Sequence, residues 1–350
     1  MPEIKSEQDL EQYLNDHDYY DARYDPLRID RKARRKRRPR KQPQKAPEQW
    51  EVASQLSDVT GLEGGLKITY TPAQYEEGWL LSSIGAFFEQ ALITDILFKV
   101  KGGKEASVYC CRAHPGTGVD LLAAKVYRPR MFRNLRNDKL YRESRELLDG
   151  SGRAVKVTDE RLMRAVIHGT DFGLEVRHTS WLMHEYTTME RLFKAGAAVP
   201  QPISSSENAI LMTYIGGESV GAPTLHEIRL DPDEVQPLFQ ETMRNIDLMM
   251  QYELIHGDLS AYNILYWDGQ ITLIDFPQVV SYYNNHSAYA ILQRDVQRIR
   301  DYFARYKVEC DAQAITDELW QRYATPDPRI VFAEEYLIHT YEEEEPFETE

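Results

Sequence analysis

The sequence predicts an α+β fold of two lobes, in which a small β-rich lobe precedes a mostly helical one. Three apolar, β-rich runs come first, at 96–100, 107–111 and 121–127. Helical periodicity of apolar residues dominates the chain after residue 235. Between these regions Gly216-Gly217 ends an apolar run, which places the linker between the lobes near Ile215.

The predicted first lobe covers about 75–215 and is built around an antiparallel meander. Apolar residues recur at helical spacing from Trp79 to Ile93, which predicts one or two short helices before the first strand. A Pro-Gly-Thr-Gly turn at 115–118 separates the second strand from the third.

The rest of this lobe follows a basic segment at 128–180, which we expect to be an irregular, flexible insertion. A helix is predicted over 183–194, because apolar residues share one side and Gly196 follows as a stop signal. A buried strand is predicted over 209–215.

The predicted second lobe covers about 216–310 and is mostly helical. A long amphipathic helix is expected near 235–250, and helical patterns recur at 287–306 and 311–323. Asp268-Gly269, between apolar runs at 264–266 and 271–274, is a strong hairpin signal. Residues 1–60 are expected to form a charged, disordered extension, and residues 311–350 a helical extension with an acidic tail.

Composition narrows the class of protein. Three cysteines without metal-ligand spacing indicate a reducing compartment, and adjacent Cys110 and Cys111 are unsuited to pairing with each other. The N-terminal residues show no signal-peptide pattern, and no apolar run approaches membrane-spanning length. We therefore expect a soluble cytoplasmic protein that does not associate with membranes.

Charge is unevenly spread although the net charge is -14. The basic run at 31–45 contains no acidic residue, and three readings of it stay open: a solvated tail, a nucleic-acid-binding arm or a localisation signal. A positive charge also recurs every third residue from Arg130 to Arg145, which would suit RNA phosphate or an acidic partner if that segment is helical, although a solvated loop is the alternative.

The residues with the clearest chemistry are Asp258, Asn263 and Asp275, within the stretches HGDLSAYN and IDF. ATP-dependent phosphoryl transfer needs one carboxylate to orient the attacking hydroxyl, and an amide and a second carboxylate to hold Mg²⁺. These three residues match those roles in that order. His256 is expected to be structural, beneath the loop.

Further candidates would bind the nucleotide. Lys125 stands in an apolar strand and needs a partner such as phosphate or a helix carboxylate, for which Glu185 is the candidate and Glu190 the rival. A glycine-containing loop could approach phosphates; its residues are Gly102, Gly103, Lys104, Ser107 and Val108. Met212, Tyr214 and Ile215, at the predicted linker, are further candidates.

Six segments, in order along the chain, resemble the RIO family of atypical serine/threonine kinases. They are KGGKEASVY (101–109), KVYR (125–128), WLMHEYTTMERLF (181–193), VPQP (199–202), HGDLSAYN (256–263) and IDFPQ (274–278). The resemblance covers roughly residues 75–310. Without a winged-helix domain before the first lobe, the chain is more similar to the founding branch of the family, although Pro277 is typical of the other branch and Thr213 replaces a frequent Glu.

The resemblance implies a protein-kinase-like fold without a long activation segment, with ATP in the cleft between the lobes. It implies use of ATP and Mg²⁺, with Mn²⁺ as an alternative ion, and protein substrates that include the chain itself. By the same likeness the protein would autophosphorylate and act in maturation of the small ribosomal subunit. Asp275 would be the site of a phospho-aspartate. Independently of the resemblance, which does not include the basic N-terminal run, the charge of 31–45 and 128–145 would suit contacts with RNA or a pre-ribosomal particle.

Two rival functions stay open at this point. Small-molecule phosphotransferases of the aminoglycoside or choline kinase type share the His-Gly-Asp loop and the Ile-Asp-Phe strand end. A nucleotide-gated RNA-binding or ribosome-binding factor would use ATP hydrolysis to time its release, and the basic segments favour it.

Overall fold

The computed structural model describes residues 68–103, 106–128, 146–155, 160–168 and 170–324. The predicted extension at 1–60 and the acidic tail lie outside these residues, as does most of the basic segment at 128–145. The fold has the predicted α+β composition, with a five-stranded sheet in the first lobe and a mostly helical second lobe.

The first lobe is one antiparallel sheet with helices on both faces. Its elements are α1 (Gln74–Glu89), β1 (Ile93–Gly102), β2 (Ala106–Ala113), β3 (Leu121–Tyr127), α2 (Glu160–His168), α3 (Asp171–Lys194), β4 (Pro202–Ser205) and β5 (Ala209–Thr213). The strand order is β1-β2-β3-β5-β4. The meander was predicted, but β4 was missed because Pro202 and two serines obscure its apolar pattern.

The two faces of the sheet belong to different cores, because successive side chains on a strand point in opposite directions. One face packs against α1 through Leu80, Ile84 and Phe87, all fully buried. The other face, which includes Ala123 and Tyr127 of β3, joins the core of the second lobe. Lys125 lies on this second face, so the register of β3 directs its side chain towards the second lobe.

The expectation that 128–180 is irregular throughout is wrong for its C-terminal part. Residues 160–168 form α2, and α3 begins twelve residues before the predicted start, at Asp171 rather than 183. The hydroxyl of Thr170 caps α3 by accepting the Gly173 amide at 3.2 Å. A Cβ at Gly173 would lie 2.0 Å from the Ala165 carbonyl oxygen, so the glycine that weakens the helical pattern permits the close crossing of α2 and α3.

The second lobe consists of helices with two pairs of short strands. Its elements are α4 (Pro232–Gln251), β6 (Leu254–Ile255), β7 (Ile264–Trp267), β8 (Gln270–Leu273), β9 (Val280–Ser281), α5 (Ala288–Ala304) and α6 (Ala312–Tyr323), with β6 paired to β9 and β7 to β8. Asp268 and Gly269 have φ values of 49° and 73°, as a type I′ turn requires. The hairpin therefore forms as its turn residues predict, and it brings the residues before β7 beside those after β8.

The length and polarity of the helices show whether any of them could span a membrane. Within the described part of the chain, no helix combines the length and the apolar character needed to cross a bilayer.

Candidate active site

Lys125 joins carboxylates from both lobes. Its Nζ lies 2.6 Å from Glu185 Oε1 of α3 and 2.6 Å from Asp275 Oδ1, two residues after β8. Burial alone would lower the pKa of Lys125, but the charges of Asp275 and Glu185 outweigh it and raise that pKa above its ordinary value. The amine therefore stays protonated at neutral pH.

Glu185, rather than its rival, is the helix carboxylate in contact with Lys125. Only 1% of its side chain is exposed, and its Oε2 accepts a short hydrogen bond from the hydroxyl of Tyr127. Glu190 instead pairs with Lys194 at 2.9 Å on the exposed side of α3. Tyr127, which the sequence did not single out, thus fixes the orientation of Glu185.

Contacts with the backbone hold the loop at 256–263 and explain why its first two residues are His256 and Gly257. His256 donates from Nε2 to the Ile274 carbonyl at 3.1 Å and accepts the Asp258 amide at Nδ1 at 3.3 Å. A Cβ at Gly257 would lie 2.1 Å from the Gln278 carbonyl oxygen, and φ there is 84°, so only glycine fits. His256 therefore has the expected structural position between the loop and the strand end.

Asp258 is held at both carboxylate oxygens. Its Oδ1 lies 2.7 Å from Nη1 of Arg298, whose side chain is 2% exposed, and its Oδ2 accepts from Nδ2 of Asn263 at 3.1 Å. Asn263 Nδ2 also donates to the Asp258 carbonyl at 2.8 Å. The side chain of Asp258 is 12% exposed, so the carboxylate is largely buried but not sealed from solvent.

Helix α5 supplies contacts to this loop that the sequence analysis missed. Asp295 Oδ2 accepts the Gly257 amide at 2.8 Å, and Arg294 donates a short hydrogen bond to the Gly257 carbonyl. One turn later, Arg298 reaches Asp258. One sequence signal could have revealed these contacts. Arg294, Asp295 and Arg298 lie close together on a helix whose other buried residues are apolar, a pattern that indicates buried, paired charges.

Asn263 and Asp275 lie side by side at the open end of the hairpin. Ile264 pairs with Leu273 in the β7–β8 ladder, and the Ile274 amide donates to the Asn263 carbonyl at 3.0 Å. Because Asn263 donates through Nδ2 to Asp258, its Oδ1 is the amide atom left to accept or ligate. Asp275 adopts φ 73°, a left-handed conformation that is costly for Asp and concentrates at functional sites.

These two side chains fit the predicted magnesium site. Mg²⁺ prefers oxygen ligands and usually takes one or two carboxylates, completing its coordination with water and substrate phosphates. Glu185 and Asp275 together carry one more negative charge than Lys125 neutralises, which favours a further cation. The described residues contain no cluster of three or more His, Cys, Asp or Glu that could hold a metal by themselves.

The predicted phosphate loop is brought only partly to the Lys125 face. Val108 pairs directly with Lys125, whereas Ser107, opposite Val126, lies on the face covered by α1 and is fully buried. The β2 register therefore turns the Ser107 hydroxyl away from Lys125. The turn closes through the Gly103 amide, which donates to the Ala106 carbonyl at 2.8 Å, and Lys104 lies outside the described residues.

The predicted linker residues follow β5 at the junction of the lobes. Met212 belongs to β5 and is 8% exposed on the Lys125 face. The Tyr214 ring packs edge-on against Phe98 of β1 at 6.4 Å, and its hydroxyl donates to the Gly217 carbonyl at 3.1 Å. The Ile215 carbonyl accepts the Ala222 amide at 3.0 Å.

Comparison with known families places these residues within one domain. The family model described as the RIO domain matches residues 123–315, which is more than half of the chain. This span contains Lys125, Glu185, Asp258, Asn263 and Asp275, whereas α1, β1 and β2 precede it.

Curated relatives carry the same family name. The chain is 30% identical over 217 residues to the RIO-type serine/threonine-protein kinase Rio1 of Haloferax volcanii, covering 62% of this chain and 66% of that protein. It is 29% identical over 231 residues to the serine/threonine-protein kinase RIO1 of Chaetomium thermophilum, covering 62% and 41%. The chain thus spans less than two thirds of the length of either relative.

A solved structure also matches most of the chain. It is a Rio2 kinase from Chaetomium thermophilum described as an ADP/Mg²⁺-phosphoaspartate complex, with a TM-score of 0.46 and 20% identity. The similarity covers 85% of this chain and 86% of that one.

Proposed function

The chain belongs to the RIO domain family, and from that premise we propose that it is an ATP- and Mg²⁺-dependent serine/threonine protein kinase with ATPase activity. The contact that carries the proposal is the Lys125 ammonium, 2.6 Å from both Glu185 and Asp275. A buried cation between a helix of one lobe and a strand end of the other suits a group that binds phosphate across a cleft.

Each of the five central residues has a role that follows from its contacts. Lys125, oriented by Glu185, would bind phosphate oxygens of ATP. Asp258 would orient the hydroxyl that attacks the γ-phosphate, because its carboxylate is fixed at the cleft by Arg298 and Asn263. Asn263 Oδ1 and Asp275 would ligate Mg²⁺, which supplies charge stabilisation to the transferring phosphoryl group.

The buried partner of Asp258 favours positioning over proton abstraction. An ion pair with Arg298 at 2.7 Å holds one carboxylate oxygen in place, and Asn263 holds the other at 3.1 Å. Phosphoryl transfer needs little covalent help from the protein and depends mainly on placement and electrostatics. Asp258 would therefore accept a hydrogen bond from the attacking hydroxyl and align it with the γ-phosphorus.

Membership of the family disfavours the small-molecule phosphotransferase reading. The names of the relatives support a protein substrate, including the chain itself. The proposed RNA or pre-ribosomal partner depends on segments 31–45 and 128–145, which, except for Arg128, lie outside the described residues. That partner and a role in ribosome maturation stay predictions, tested by salt-dependent RNA binding compared between ATP and ADP.

The test follows γ-labelled ATP with Mg²⁺ in wild type, Asp258→Ala and Asp275→Asn, measuring label in protein and free phosphate. Exposed Asp120, between β2 and β3, supplies the matched control Asp120→Asn. We expect wild type and the control to transfer label to Ser or Thr and both site variants to lose it. Full transfer by a well-folded Asp258→Ala protein would contradict the proposal.

Hydroxylamine separates the two chemistries proposed for Asp275. An acyl phosphate would form if an Asp275 oxygen attacked the γ-phosphorus as the bond to ADP broke, and hydroxylamine would release that label. Resistant label would instead be a phosphate ester on Ser or Thr. Labile label that persists in Asp275→Asn would exclude Asp275 as the acceptor.

A further inference from the structure

A second buried charged cluster lies on the face of the sheet opposite Lys125. Glu76 of α1 has only 3% of its side chain exposed, and its Oε1 lies 2.8 Å from Nζ of Lys99 in β1. The same carboxylate accepts a short hydrogen bond from Tyr109 and another from Tyr70 at 3.0 Å. None of these residues falls within the matched family region, which begins at residue 123.

The charge state of this cluster is fixed by its contacts. Burial would raise the pKa of Glu76, but hydrogen bonds from Lys99 and Tyr109 and the charge of Lys99 outweigh it and lower that pKa. Burial and the hydrogen bond to Glu76 raise the pKa of Tyr109. At neutral pH Glu76 is therefore a carboxylate and Tyr109 a neutral phenol.

Lys99 also supports the turn that would approach the phosphates. A Cβ at Gly102 would lie 3.2 Å from Lys99 Cε and 3.6 Å from Nζ, so the Lys99 side chain lies directly against the backbone of the turn. The β1–β2 register is irregular here, with a shift between Lys99 and Lys101 before Gly102 pairs with Ser107. A register shift of this kind bends the strand and re-aims its backbone next to the turn.

From these contacts we propose that Lys99 is a positioning residue for nucleotide binding. Held by Glu76, its side chain supports the backbone of Gly102 from the α1 side and so keeps the start of the glycine turn in one position beside the proposed phosphate site. This inference rests on the proposed nucleotide site and adds to it a helix that lies outside the matched family region.

The test compares full-length wild type, Lys99→Met, Lys99→Arg and Glu76→Gln. The matched control is Lys194→Met, because Lys194 pairs with Glu190 at 2.9 Å on an exposed surface. The measurements are the Kd for Mg²⁺ with a non-hydrolysable ATP analogue, KM and kcat for ATP, and hydrogen exchange of the peptide covering 98–108. Thermal unfolding verifies that each variant is folded.

For Lys99→Met we expect about a tenfold rise in Kd and KM, equivalent to about 1.4 kcal/mol, with kcat nearly unchanged. Exchange at 98–108 should be faster, Lys99→Arg should restore binding, and Lys194→Met should match wild type. Glu76→Gln, which leaves Lys99 in place, should show the same change in exchange and decides the matter if Lys99→Met does not fold.

Two results would overturn the inference in distinguishable ways. Wild-type binding and exchange in both Lys99→Met and Glu76→Gln would show that the cluster is only structural, while the proposed function stood. A wild-type protein that bound no Mg²⁺-nucleotide would refute the proposed function and, with it, the positioning role.

Discussion

Two Lys-Glu-Tyr clusters lie on opposite faces of one sheet, and their chemistry is nearly the same. The inner cluster consists of Lys125, Glu185 and Tyr127, and the outer cluster of Lys99, Glu76 and Tyr109. In each, a helix supplies a Glu side chain that is 1% or 3% exposed, and a strand Lys pairs with it at 2.6 or 2.8 Å. In each, a Tyr hydroxyl donates a short hydrogen bond to the same carboxylate.

The clusters differ in what else they contact. Lys125 reaches Asp275 of the second lobe, whereas the ion pair of Lys99 with Glu76 lies within the first lobe. Lys125 is 11% exposed at the cleft, and Lys99 is 29% exposed beside the Gly102 turn. A buried Lys-Glu-Tyr cluster is therefore a way to fix a strand to a helix, and a catalytic role is proposed for the cluster that also contacts the opposite lobe.

The largest expected effect separates the two lysines. Lys125→Met removes a fixed positive charge from the proposed phosphate site and should lower kcat by about 10²- to 10³-fold. Lys99→Met should act mainly on KM, because it changes binding rather than transition-state stabilisation. Steady-state kinetics with ATP measures both. Equal losses of kcat in the two variants would remove the functional distinction between the clusters.

The next effect concerns the ion pair that secures Asp258 in the second lobe. Arg298→Gln leaves a buried carboxylate without its charged partner, which should destabilise the fold by about 3–5 kcal/mol. Displacement of Asp258 should also lower kcat by about 10²-fold. Urea unfolding and single-turnover transfer measure the two effects.

A matched control exists at the surface for that variant. Arg322 pairs with Asp247 at 2.6 Å, but its side chain is 48% exposed. Arg322→Gln should therefore leave the free energy of unfolding nearly unchanged and leave transfer unchanged. A stable, fully active Arg298→Gln protein would show that α5 does not position Asp258.

The tyrosines give a smaller and more symmetrical effect. Tyr127→Phe and Tyr109→Phe each remove one hydrogen bond to a buried carboxylate, which should cost about 1.5–3 kcal/mol. Only Tyr127→Phe should also reduce kcat, since Tyr127 orients the carboxylate that holds Lys125. Chemical denaturation measures the stability of both variants, and steady-state kinetics measures their kcat. A kcat loss confined to Tyr109→Phe would contradict the proposed difference between the clusters.

The smallest expected effect is a pH dependence of the outer cluster. Because the pKa of Glu76 is lowered in the folded protein, its contribution to stability is complete above the ordinary carboxyl pKa of 4.5 and is lost as pH falls through the lowered value. The difference in unfolding free energy between wild type and Glu76→Gln should therefore shrink as pH falls below 4.5. A difference that stayed constant between pH 6 and pH 3 would contradict the proposed charge state.

Local patterns predicted much of the fold and the centre of the candidate site. The hairpin followed from Asp268-Gly269, and β3 was predicted at its observed bounds because β-branched and apolar residues flank a turn signal. The start of α3 was missed because few large apolar residues lie in its first ten positions. The cap at Thr170 and the close approach of α3 to α2 are visible only in the structure, because no apolar periodicity in the sequence indicates them.

Contacts between residues far apart in the sequence could not be predicted from local patterns. Alternation puts Ser107 and Val108 on opposite faces, but only the register with Lys125 decides which face each one shares. Glu185 and Glu190 both lie on one predicted helix, and the packing of α3 selects the first. Arg298 lies forty residues from Asp258 and carries no motif of its own.

By itself, the sequence determined the two-lobe order of elements, the hairpin and the identity of Lys125, Asp258, Asn263 and Asp275 as candidates. These features depend on side chains a few residues apart, whose spacing sets local geometry. Only the tertiary structure decided that Glu185 holds Lys125, that Arg298 holds Asp258 and that Glu76 and Lys99 lie beneath the glycine turn. Those contacts join residues far apart in the chain, and strand register and helix packing bring them within hydrogen-bonding distance.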